Sequence, residues 1–148
     1  MTTTTPLVDG RVIGLAHYAS RAVLERVLAP HGVTFQQFVT LRLATVADGP
    51  MRTDDLVDGV VTTVKAGPAD VRGTVEELVD AGLLAPEEPL RIRVTDAGRE
   101  LYAKGSAETT AVATRLYAGI PEADRAAAGR VLSLVTERAN AELAALDG

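Results

Sequence analysis

The chain has no cysteine, which excludes disulfides, thiolate metal sites and cysteine nucleophiles together. Aromatic residues make up only 3% of it, so a stacking surface must be assembled from a handful of rings. No apolar run reaches the roughly 18–20 residues that span a bilayer, so no membrane partner is expected. The opening Met1–Pro6 has neither a basic start nor an apolar centre and reads as a short frayed arm, not a secretory signal. With no signal, span or disulfide framework, the cytoplasm is the expected compartment. Phosphate-cradling glycine loops, dinucleotide fingerprints and nucleophile elbows are also missing, so no cofactor is indicated.

What remains is a globular composition of 148 residues, 47% hydrophobic and 24% charged, sized for one domain with a real core. Val12, Leu15, Ala16, Ala19, Val23 and Val27 recur at spacings of three and four, predicting a helix over about 8–29 that ends at Pro30-His31-Gly32. Thr34 and Gln37 form a capping box for a second helix, which stops at Asp48-Gly49-Pro50. A short third helix should begin near Thr53 and carry Leu56, Val57 and Val60. Asp54, Asp55 and Asp58 suit the positive end of that helix better than a metal. The stretch Thr62–Gly67 has no clear period. Pro68 then fits the first turn of a fourth helix bearing Val71, Val75, Leu78 and Val79 and ending at Gly82. Leu83–Ala85 and Leu90–Val94 read as a hairpin joined by Pro86-Glu87-Glu88-Pro89. Thr95 caps a fifth helix reaching about Ala118. After Gly119 and Pro121, a sixth helix carries a stripe of Ala128, Leu132, Val135, Ala139, Leu143 and Leu146.

Three helices, a fourth helix, a hairpin and two long helices form the layout of a winged helix-turn-helix with flanking helices. Three stretches resemble the MarR family of transcriptional regulators. Val33–Leu43 looks like its capped second helix, Val75–Leu84 like the end of its recognition helix, and Val94–Leu101 like its wing-to-helix junction. The resemblance runs from about Val8 to Leu146. It implies a mainly α fold of about six helices and a small wing, with a winged helix-turn-helix lobe at about 50–95. It also implies a homodimer, joined through helices at about 8–30 and 96–146. The apolar stripes of the terminal helices support that dimer independently, because one chain of this size cannot easily cover them.

In such a protein the fourth helix and wing meet duplex DNA, which assigns Lys65, Arg72, Thr74, Arg91 and Arg93 to the contact. A small aromatic or hydrophobic ligand would bind between the helices, where His17, Tyr18, Arg21, Phe38, Arg42 and Tyr102 offer rings and cations. Phe35 and Phe38 are more often core residues. The charge pattern points the other way. Residues 51–100 hold six basic and eleven acidic side chains, a balance equal to the net charge of −5 of the whole chain. The family's arginines are replaced here by Gly73 and Glu77, and its wing-tip arginine by Pro-Glu-Glu-Pro. The stretch from Leu56 to Val71 also reads as a lengthened turn, displacing the fourth helix. Two functions follow. One is a ligand-responsive DNA-binding regulator. The other is a relative without DNA binding that binds or transforms a small molecule, as a secondary-metabolism enzyme or binding protein. Were it an enzyme, His17 and Tyr18 would be its acid–base pair.

Overall fold

A computed structural model describes residues 4–148; the arm expected over Met1–Pro6 lies partly outside them. The elements run α1 (Gly10–Leu28), a 3-10 turn (Ala29–His31), α2 (Phe35–Val46), β1 (Met51–Arg52), α3 (Thr53–Val64) and α4 (Pro68–Asp80). They continue with β2 (Leu84–Glu87), β3 (Arg91–Val94), α5 (Asp96–Tyr117) and α6 (Glu122–Leu146). The architecture is mainly helical with one small antiparallel sheet, in the strand order β1-β3-β2.

Local chemistry sets most boundaries. Asp9 caps α1 by accepting from the Val12 amide at 2.9 Å, and Gly32 takes the left-handed conformation that ends the following turn. The capping box of α2 is complete: the Gln37 amide donates to Thr34 Oγ1, and the Thr34 amide donates to Gln37 Oε1. Thr95 Oγ1 accepts from the Gly98 amide and donates to the Gly82 carbonyl, tying the start of α5 to the turn after α4. Gly98 is required there, since a Cβ would fall on the Leu83 carbonyl oxygen.

Two expectations are corrected, and one strand is new. Thr62, Thr63 and Val64 belong to α3, leaving only Lys65–Gly67 between α3 and α4, so no lengthened turn displaces α4. The β-branched run hides the helical period, but Val61 and Val64 pack against the core and hold the helix. Pro86 and Glu87 belong to β2, and the connection is Glu88–Leu90. Proline is tolerated because β2 is an edge strand. The third strand, β1, was not anticipated at all, because two residues are too few to carry a period.

The chain divides into two compact units, one running to Val112 and one from Ala113 to Gly148. The core lies in the first, where Leu28, Leu41, Leu56, Val57, Val60, Val71, Leu78 and Leu84 are almost wholly buried. In the second, α6 buries no residue, and its stripe stays open: Leu132, Val135 and Leu143 are each 40% or more exposed. No helix among the described residues is long and apolar enough to cross a membrane.

Candidate functional site

The helix-turn-helix consists of α3, Lys65–Gly67 and α4. Lys65 takes a positive φ that closes α3 and stands exposed at the turn. On α4, the buried face is Val71, Thr74, Val75 and Leu78. Thr74, expected to meet DNA, is therefore misassigned. It is 5% exposed, and its hydroxyl accepts from Gln36 Nε2 at 2.9 Å while donating to the Asp70 carbonyl. One turn on, Gln37 Nε2 donates to Glu77 Oε2 at 2.9 Å. Two side-chain bridges thus fasten α4 to α2, and Gln37 serves as both cap and bridge. The outward residues of α4 include Arg72, Glu76 and Asp80. Arg72 is paired with Asp54 at 2.9 Å, both side chains being about half exposed.

The sheet presents a different outer face. Along β3, Ile92 and Val94 are buried while Arg91 and Arg93 are exposed, the alternation of a half-buried strand. Arg52 of β1 stands directly opposite Arg91, and Glu87 of β2 opposes Arg91 from the other side. Arg52, Arg91 and Arg93 therefore share one solvent-facing surface, with no carboxylate within 4.0 Å of any of them among the described residues. Like charges placed directly opposite repel, so this arrangement suits an anionic partner. Arg52 was missed by sequence reasoning. An apolar–basic pair just before the helix start at Thr53 was its only signal.

The groups proposed for a ligand fall into separate clusters. Phe38 and Tyr102 stack at 5.5 Å with an interplanar angle of 27°. Gly105 makes room for them, since a Cβ there would lie 2.8 Å from Phe38 Cε2. Arg21 lies 4.9 Å over the Phe35 ring and pairs with Glu25 at 3.2 Å, so its charge is already engaged. His17 and Tyr18 meet edge-to-face at 5.6 Å on the exposed side of α1. Neither makes a side-chain hydrogen bond among the described residues, so the acid–base pair has no orienting group. Arg42 is exposed on α2. A polar pair that the sequence did not reveal joins the 3-10 turn to α5: His31 Nε2 lies 2.9 Å from Glu108 Oε2. The two are 77 positions apart, so no local pattern could have paired them.

No protein-family model matches the chain, and no curated protein matches it in sequence. Solved structures do match in shape. A MarR-family transcriptional regulator from Rhodococcus sp. RHA1 is 23% identical, with a TM-score of 0.73 over 86% of this chain and 92% of that one. CouR from Rhodococcus jostii RHA1, solved with p-coumaroyl-CoA, is 22% identical, with a TM-score of 0.75 over 86% and 90%. The Mycobacterium tuberculosis MarR-family protein Rv2887, solved in complex with DNA, is 23% identical, with a TM-score of 0.67 over 89% and 98%. The chain has the winged helix-turn-helix fold of the MarR regulators.

Proposed function

We propose that the chain is a MarR-type, ligand-responsive transcriptional regulator, a cytoplasmic homodimer that grips duplex DNA. The observation that carries this reading is the unpaired arginine face of the wing, Arg52, Arg91 and Arg93, beside a helix-turn-helix with an ordinary short turn. Arginine presented without an internal counter-ion matches phosphate geometry, and Lys65 and Arg72 would add to the contact. The DNA complex of Rv2887 supports the same use of the fold. The test is a salt titration of binding to the duplex flanking its own gene. Affinity should fall steeply between about 50 and 200 mM salt. A chain that shows no binding at about 50 mM is not a DNA-binding regulator.

The whole chain would act as one dimerising unit, with the lobe at about 50–95 and the helices at 8–30 and 96–146 joining two copies. Support comes from the uncovered apolar side chains of α6 and, separately, from Leu15 and Val23 exposed on α1. A monomer by light scattering at micromolar concentration would remove this part. The ligand is a small aromatic or hydrophobic molecule, for which the Phe38–Tyr102 stack and the nearby helix α2 offer rings and, in Arg42, a cation. CouR, solved with p-coumaroyl-CoA, supports an aromatic ligand class.

One observation favours a second reading. The outward side of α4 carries Glu76 and Asp80, and its one arginine is neutralised by Asp54. Under that reading the fold has lost DNA binding and binds or transforms a small molecule, and the same salt titration separates the two.

A further inference from the structure

An apolar groove of about 280 Å³ lies between the second half of α4 and the far end of the sheet. Its floor is Val75 and Val79 from α4, with Pro86 and Ile92 from the two strands. Pro86 and Ile92 are paired in register, so both belong to the core-facing side of the sheet. Glu76 and Asp80 border the groove one helical turn apart. Arg91 borders the groove from the strand side, across from the two carboxylates on α4. The helix side of the rim is therefore acidic.

Helix stability does not account for that charge. Carboxylates at i and i+4 repel, and the last turn of α4 ends on Asp80 with no basic residue to answer the negative end of the helix dipole. Neither Glu76 nor Asp80 has an ion-pair partner within 4.0 Å among the described residues. Two unanswered carboxylates at the edge of an apolar hollow are complementary to one kind of occupant. We propose that this groove binds a small amphipathic cation, an aromatic or branched aliphatic body carrying a primary amine, with the body on Val75, Val79, Pro86 and Ile92 and the ammonium between Glu76 and Asp80. Apolar contact supplies the affinity, and the charge pair supplies the orientation.

The site is distinct from the helical cluster around Phe38 and does not depend on the DNA-binding reading, because it is tested on the free full-length protein. Methyl-resolved NMR is followed while phenethylamine, phenethyl alcohol and hydrocinnamate are titrated in turn. Phenethylamine should shift the Val75, Val79 and Ile92 methyls and bind roughly tenfold more tightly than the alcohol. The Glu76→Gln/Asp80→Asn double variant, which relieves repulsion and so keeps its fold, should lose that preference, while Asp58→Asn, at an exposed carboxylate that does not line the groove, retains it. Hydrocinnamate binding as tightly as the amine would overturn the proposal. So would an unchanged double variant, shifts confined to other methyls, or no shift with any probe. Dilution-dependent shifts at the same methyls without a probe would assign the groove to a second copy of the chain and overturn it as well.

Discussion

The outer face of the wing and the outer face of α4 belong to one lobe, yet they carry opposite charge. On the wing, Arg52, Arg91 and Arg93 stand together with Glu87 as the acid directly opposed in register. On α4, Glu76 and Asp80 are unanswered and Arg72 is held by Asp54. A summed charge over residues 51–100 reports an acidic segment and hides this division. The difference teaches that an anion would be gripped by the sheet, whereas a regulator of this fold would ordinarily read bases with the helix.

The comparison can be broken most severely at the joint that holds the two faces in place. Gly98→Ala would drive a methyl into the Leu83 carbonyl and Val94, and should destabilise the chain by about 3 kcal/mol, read by denaturant unfolding. Next in size is the wing itself. Replacing Arg52, Arg91 and Arg93 with alanine should weaken duplex binding about a hundredfold and reduce the log–log salt slope by roughly 3. An unchanged slope would mean that the sheet is not the gripping surface.

Smaller changes sharpen the contrast. Thr74→Val leaves the Gln36 amide without its partner and should cost about 1–2 kcal/mol of stability. Its folded form should bind duplex as the parent does, because Thr74 faces the core; a selective loss of binding would restore it to the contact surface. The smallest effect is expected from Asp54→Asn, which frees Arg72 from an exposed pair. Stability should move by less than about 1 kcal/mol. Duplex affinity should rise a few-fold, and a fall would show that the pair holds Arg72 in its working position.

Much of the fold was legible because it rests on local signals. The Thr34–Gln37 box and Thr95 ahead of α5 mark boundaries through hydrogen bonds within a few residues, and Pro68 marks the first turn of α4 through its fixed φ and missing N–H. The α3 end was not legible, because Thr62–Val64 are β-branched and the helix there is held by Val61 and Val64 packing against the core. The site was legible by composition more than by placement. Arg91 and Arg93 were named from their place in the expected wing, but Arg52 joined them only through the β1–β3 register. Thr74 was misassigned because its partner, Gln36, lies 38 positions away.

The sequence by itself determined the order of helices and strands, the apolar faces, the caps and the absence of cysteine chemistry. These depend on periodicity and on contacts within a turn or two. Only the tertiary structure decided which charges share a face. The arginines of β1 and β3 became neighbours, Arg72 acquired Asp54, and Glu76 and Asp80 came to edge a groove floored by distant strands. Electrostatic meaning depends on distance in space, and residues far apart in the chain acquire that distance only when the core assembles.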